Sequence, residues 1–292
     1  MNNCNTIKRE YMEIPITGIV FRIIEGIDKL QRGEIDELTH SVVYEFENKD
    51  RITLTLTEQL QTAEELVSNL STTQIQLFIY LLYRWRMQGG NAIFQVELKD
   101  YYRFKGVQVR NDSKKRFERD LAVLSALSFQ IITKNNIDYI YSSLLKFRKV
   151  GKDYYEIHFD SWIENLNPSQ YTLLHKNFFQ LNPRYHRDAI LLTLKVSQIY
   201  KLQLRKTTFQ PNMKLYTLCK LLNISTKQIK QQGFKCLRQR FQNIARRLEQ
   251  SFGFVIDLRI ETDNLTQFFD SKMYYEHPYL KGHYLSSELK SQ

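Results

Sequence analysis

Two stretches of the chain run through one and the same order of segments, and that order narrows the possible folds more than any single motif does. STTQIQLFIYLLYRWRMQGG (71–90) opens on Ser/Thr caps, places Ile75, Phe78, Ile79, Leu82 and Trp85 on one stripe and stops at Gly89-Gly90, which predicts a helix. NAIFQVEL then reads as a short strand, and ELKDYYRFKG as a short helix closed by Gly106. Asn111-Asp112-Ser113 offers caps for KKRFERDLAVLSAL, in which Phe117, Leu121, Leu124 and Leu127 face one way. FQIITKNNIDYIYSSLLKF gives two strands around a KNN turn, and DYYEIHF gives a third. Downstream, YHRDAILLTLKVSQIYKLQ after Pro183 predicts a helix with Ile190, Leu191, Leu194 and Ile199 on its apolar face. KTTFQ reads as a short strand and NMKLYTLCKLLNI as a short helix with Leu215, Leu218 and Leu222. Ser225 caps a second helix running to about Gln250, FGFVIDLRI is the next strand, and DNLTQFFDS (263–271) is the candidate for its return.

Helix, strand, short helix, longer helix, hairpin is the order of a winged helix-turn-helix domain, in which the longer helix lies in the DNA major groove and the hairpin is the wing. Two passes through it suggest a duplicated module. The expected class is therefore α+β: tandem winged helix-turn-helix domains, helix-rich with small β-hairpin wings, plus an N-terminal β-containing extension. In that extension MEIPITGIVFRII (12–24) reads as extended and apolar, THSVVYEFENKDRITLTLT (39–57) as a hairpin turning at Asn48-Lys49-Asp50, and TAEELVSNL (62–70) as a short helix. The expected boundaries are 1–70 for the acidic extension, 71–165 and 166–270 for the two modules, and 271–292 for a C-terminal tail.

Charge follows the same division. The chain of 292 residues carries a formal +11, but residues 1–70 hold 7 Lys/Arg against 13 Asp/Glu, a net of −6. Residues 195–250 hold 13 Lys/Arg against a single acid, Glu249, a net of +12. A solvated surface mixes both signs, whereas a block this one-sided is a focused positive field that favours a polyanion. Within it Phe234, Leu237, Phe241, Ile244 and Leu248 fall at spacings of three and four and form the predicted buried stripe. Lys235, Arg238, Arg240, Arg246 and Arg247 lie mostly off that stripe, with Lys227 and Lys230 one to two turns before them. In the first pass Lys114, Lys115, Arg116 and Arg119 occupy the non-apolar face of the corresponding helix.

Several classes lose support. No GxxxxGK[ST] is present, which argues against a P-loop ATPase, and no HxH pair, which argues against the metal-dependent, tyrosine-using nicking enzymes. HExxH, GxSxG and HxxR are also missing. Glu276-His277 and His283 read as a solvated tail, His158 as part of a strand, and Tyr101-Tyr102 and Tyr154-Tyr155 as packing or phosphate-bonding groups before base-stacking ones. Cys4, Cys219 and Cys236 are widely spaced and lack a CxxC, so neither a disulfide framework nor structural zinc is expected, and a reducing, cytoplasmic setting at the nucleoid fits. MNNCNTIKREYMEIP has no signal-peptide hydrophobic region, and no uncharged apolar run of membrane-spanning length occurs. No cofactor or metal and no enzymatic activity are expected.

The segments LKDYYRFKG (98–106), NDSKKRFERDLAVL (111–124), NPRYHRDAILLTLKVSQ (182–198) and KLYTLCKLLNIS, with the basic helix after it, resemble the plasmid replication initiator (Rep) proteins built from two winged-helix domains, over about residues 70–262. The resemblance implies sequence-specific binding of duplex DNA at short direct repeats (iterons) of a replication origin, recruitment of host helicase and initiator proteins, and dimers that repress their own gene. It also implies that both modules touch DNA, with Lys235, Arg238, Arg240, Arg246 and Arg247 supplying the stronger base contacts and Lys114, Lys115, Arg116 and Arg119 acting from the first module. The ill-defined second wing and the acidic N-terminal region depart from the family pattern. A transcriptional regulator of the same fold without a replication role is the main alternative; a nuclease or an RNA-binding structural protein are the others.

Overall fold

A computed structural model describes residues 10–16, 18–31, 41–45, 51–56, 71–132, 138–141, 143–167, 170–198, 211–258 and 264–276. In chain order the elements are β1 (Tyr11–Ile14), α1 (Gly18–Gln31), β2 (Ser41–Glu45), β3 (Arg51–Leu56), α2 (Thr72–Met87), β4 (Ile93–Glu97), α3 (Leu98–Phe104), α4 (Ser113–Ser125), β5 (Leu127–Ile132), β6 (Asp138–Tyr141), β7 (Leu145–Lys149), β8 (Tyr154–Phe159), β9 (Thr172–His175), α5 (Arg187–Ser197), β10 (Asn212–Lys214), α6 (Leu215–Leu221), α7 (Thr226–Phe252), β11 (Val255–Leu258), α8 (Leu265–Asp270) and β12 (Lys272–Glu276). Helices and small antiparallel sheets make it α+β. Two compact units divide the chain: residues 13–171 form one, and residues 1–12 with 172–292 the other.

In the unit formed by residues 13–171, Ser71 and Gln74 close a capping box at the start of α2. The helix is buried on most of its circumference, from Thr72 to Trp85. Phe78 meets Phe159 and Trp162 with ring centroids 6.3 and 6.0 Å apart, and Phe94 meets Phe159 at 5.3 Å. The Trp162 indole N–H donates to the Leu144 carbonyl at 2.8 Å, so this aromatic core carries its polar handle satisfied. Phe117, fully buried, anchors α4 against Tyr101 and Tyr155 at 5.4 and 5.1 Å.

Sheet pairing corrects two readings. Strands β4, β8 and β7 form one sheet, with β4 and β7 flanking β8. The 129–147 hairpin read as the first wing is split: only its end, in β7, joins this sheet, Leu127 belongs to β5 and not to the helix, and β5 pairs β3 in register Leu54↔Phe129, so the other order is β2-β3-β5-β6. The hairpin that returns beside β4 is β7–β8, turning at Val150–Asp153. Nor is 12–24 extended throughout: a strand ends at Ile14, and from Gly18 the same apolar residues form α1, whose Val20, Phe21, Ile23, Ile24 and Ile27 recur at helical spacing and are buried. Segments 62–70 and 206–210, expected as a helix and a strand, lie outside the described residues.

The other unit has the sheet order β10-β12-β11. The return strand is β12, paired with β11 through Ile256↔Tyr275, whereas the candidate 263–271 is mostly helix α8. Asn264 decides this locally: its side-chain oxygen accepts from the Thr266 and Gln267 amides at 2.9 and 3.2 Å, which caps a helix. Phe268 from α8 is fully buried and stacks on Phe241 of α7, with rings 18° apart in plane. Leu215, Leu218, Ile229, Leu237, Leu248 and Met273 complete the core.

Candidate nucleic-acid interface

Helix α7 starts at a second capping box, Ser225 with Gln228, and ends at Gly253, whose φ of 73° supplies the left-handed C-terminal residue. It is not one straight rod. Gly233 has φ 76° and ψ 156°, so Thr226–Gln232 is a short helical piece and Phe234–Phe252 a long one. That conformation is open almost only to glycine.

In the long piece Leu237, Phe241, Ile244, Ala245 and Leu248 are buried, which sets the faces of the remaining residues at 3.6 per turn. Lys235, Gln239, Gln242, Asn243, Arg246 and Arg247 are exposed on the outward side. Arg238 is half-buried on one flank. Arg240 is half-buried on the other, and its Nε and Nη2 donate to Asp188 Oδ2 of α5 at 3.0 and 2.5 Å. Arg240 thus holds α7 to α5. Glu249, the sole acid of α7, turns its carboxylate to the Ile256 amide at 3.4 Å. Lys227 and Lys230 are exposed on the short piece. Lys227, Lys230, Lys235, Arg246 and Arg247 have no acidic partner among the described residues. Gln239 donates to Asn243 at 3.0 Å, and Arg246 lies 3.4 Å from the same Asn243 oxygen.

Beside this face an open groove of about 870 Å³ runs between α7 and the segment leading into α5. Arg184, Tyr185, His186 and Arg187 line one wall, and Lys235, Gln239, Arg240, Asn243 and Arg247 the other. The His186 imidazole is held below its ordinary pKa by burial, with a contribution from the Arg247 charge.

Helix α4 handles its cations differently. Arg116 pairs with Asp112 one turn back at 2.5 Å, and Arg119 lies 3.9 Å from Asp120. Lys114 donates to the Lys152 carbonyl at 3.0 Å, which ties α4 to the β7–β8 turn, and the neighbouring Lys149 lowers its pKa. Lys115 is exposed. The adjoining hairpin adds Lys146, Arg148, Lys149 and Lys152, with Arg148 and Lys149 facing Glu156 and Glu118 at 2.8 and 3.4 Å. On the buried side of α4, Asp120 accepts from Gln74 Nε2 at 2.8 Å, and burial lifts its carboxyl to about 6 against the opposing pull of Arg119 and Lys105.

Of the tyrosines considered as stacking groups, Tyr101 and Tyr155 are buried, and the Tyr155 hydroxyl donates to Glu118 at 2.8 Å. Tyr102 donates to the Ser113 carbonyl at 2.9 Å, and Tyr154 is exposed. His158 is exposed on β8. Glu276, expected in a solvated tail, is buried at the end of β12, and His277 and His283 lie outside the described residues. Among the described residues no group of three or more His, Cys, Asp or Glu could hold a metal ion, and no helix is long and apolar enough to cross a membrane.

Charge counting misses Gln232, Gln239 and Asn243, which are neutral, and Arg184 and Arg187, which precede the basic block. The signal available for the amides was their place opposite the apolar stripe.

No protein-family model matches the chain, and no curated protein does. Solved structures that align with the chain include two of RctB. A selenomethionine derivative of domains 2 and 3 of RctB aligns at 11% identity over 82% of this chain and 90% of that one, with a TM-score of 0.49. Another structure of RctB domains 2–3, spanning its residues 155–483, aligns at 12% identity over 80% and 88%, with a TM-score of 0.42.

Proposed function

We propose that the chain is a sequence-specific duplex-DNA-binding protein that initiates plasmid replication by binding origin repeats and recruiting host helicase and initiator proteins. In this reading each unit contains a winged helix-turn-helix module. Strand β4, helices α3 and α4 and the β7–β8 hairpin compose one; strand β10, helices α6 and α7 and strands β11 and β12 compose the other. The protein acts by binding, without catalysis or cofactor, as a homodimer when it represses its own gene.

The observation that carries the reading is the outward side of α7. It presents Lys235, Arg246 and Arg247 around the amides Gln239 and Asn243, and the one acid of the helix is turned away to a strand amide. Cations on phosphates release counterions and set affinity, while amide and guanidinium groups form bidentate pairs with adenine and guanine edges. A face carrying both types, backed by a continuous apolar stripe, suits the major groove.

Selection of random duplex DNA with the purified chain, followed by footprinting, tests this. The expected winner is one short motif that recurs as direct repeats at a plasmid origin and binds with a steep salt dependence. Absence of any enriched sequence, or equal affinity for structured RNA, whose deep major groove excludes a helix, would defeat the reading.

A further inference from the structure

The groove between α5 and α7 extends the candidate interface off the helix. We propose that it is a cleft for the sugar-phosphate backbone of the bound duplex, in which Arg184, Tyr185 and Arg247 grip phosphates while the outward amides of α7 face the bases. This rests on the duplex-binding reading and assigns a division of labour within it.

Charge is the first support. Five cations line the groove, Arg184, Arg187, Lys235, Arg240 and Arg247, against the single acid Asp188, a net of +4 with His186 neutral. That acid is already countered: Arg240 holds it from α7, and Arg187 approaches it at 3.3 Å from its own helix. The positive charge left facing the opening comes from Arg184, Lys235 and Arg247. A groove so lined attracts polyanions, and the closely spaced charges of a nucleic-acid backbone more than an acidic peptide, while its lining also includes the apolar side chains of Ala189 and Ile244.

Shape is the second. From Lys235 to Arg247 the α7 wall rises about 18 Å at 1.5 Å per residue, long enough to follow several successive phosphates. The opposite wall ends in Tyr185, 71% exposed, with the Arg184 guanidinium 5.5 Å from its ring centre. An exposed tyrosine with an arginine on its face offers a hydroxyl and a guanidinium side by side, the pair of donors that phosphate oxygens accept from. The Arg240–Asp188 pair fixes the spacing of the two walls, so the donors are held in place before a ligand arrives.

Backbone contacts fix position, and base contacts carry sequence. The two roles separate in one experiment on the full chain. The selected duplex, a scrambled duplex and a single strand of the same sequence are titrated at several salt concentrations with wild type, Arg184→Ala/Arg247→Ala and Asn243→Ala. The arginine pair is expected to flatten the log–log salt slope by about 1.8, at about 0.9 per lost phosphate contact. It should weaken selected and scrambled duplexes by the same factor, and leave the preference between them unchanged. Asn243→Ala should do the reverse, reducing the preference with the slope intact. An unaltered slope in the arginine pair, or a loss confined to the single strand, would overturn the cleft assignment while leaving the α7 face standing. Failure of the wild type to prefer any duplex would instead remove the functional reading beneath it. Circular dichroism of each variant checks the fold, and both arginines are exposed, so their removal leaves the core untouched.

Discussion

Helix α4 lies between the short helix α3 and strand β5, helix α7 between the short helix α6 and strand β11, and the two carry their cations differently. On α4 most basic side chains have local company: Arg116 has Asp112, Arg119 has Asp120 beneath it, and Lys114 is bonded to the Lys152 carbonyl. On α7 Arg240 is held in an ion pair internal to the unit, while Lys227, Lys230, Lys235, Arg246 and Arg247 have no acidic partner among the described residues. Exposed ion pairs add little stability, so the α4 pairs chiefly lower the free positive charge that the helix shows to solvent. The lesson is that an equal run of Lys and Arg gives a strong or a weak field according to which acids the fold brings beside it.

The comparison breaks or holds in graded ways. The largest effects come from the anchors. Phe117→Ala and Phe241→Ala each remove a side chain at most 2% exposed and should each cost about 3–5 kcal/mol in chemical unfolding. Only the Phe241 change should abolish binding to a selected duplex, and equal loss from both would erase the contrast.

Next come the charges themselves. Lys235→Ala/Arg246→Ala should weaken duplex binding more than tenfold and flatten the salt slope by about 1.8. Lys115→Ala/Arg119→Ala should change the slope by less than half as much. The opposite ranking would make α4 the principal contact.

Asp120 gives a third, smaller effect with a defined pH window. Its carboxyl is raised from 3.8 to about 6 in the folded chain, so between those values the folded state binds more protons than the unfolded one. That stabilisation is full below about pH 4 and is lost as pH rises through about 6, a change of at most about 3 kcal/mol. Asp120→Asn keeps an oxygen for Gln74 and should remove this slope, which urea titrations at pH 4, 5, 6 and 7 would read directly. A slope that persists in the variant assigns it to another group.

The smallest effect is at the break in α7. Gly233→Ala meets no atom within 4 Å, so its cost of about 1–3 kcal/mol would be backbone strain alone. A neutral or stabilising result in thermal melts would show that the two pieces can join into one helix.

Much of this fold was legible in local patterns, and the reasons are specific. Ser71 and Ser225 announced helix starts because caps act within three residues, and the stripe from Leu237 to Leu248 announced the buried side of α7 because 3.6-residue periodicity is a property of the segment itself. What failed was pairing at a distance. An alternating hairpin such as 129–141 looks the same whichever sheet it joins, and its partner β3 lies more than 70 residues earlier. Segment 263–271 was the candidate return strand only by its place in the order, although Asn264 was a helix-cap signal within it. In the candidate site, the cationic character of α7 could be counted, but the engagement of Arg240 by Asp188, 52 positions away, could not. The groove depends on the same long-range contact, and so was invisible too.

The joint at Gly233 has a mechanical consequence for any long ligand. A straight rod laid on a curved track touches it at one place, whereas two rods hinged end to end can touch at two. Lys227 and Lys230 ride on the first rod and Lys235 to Arg247 on the second. On the proposed duplex-binding reading, a helix broken there suits a duplex that bends, and its preference should run to sequences that are easily flexed as well as to those that are well matched.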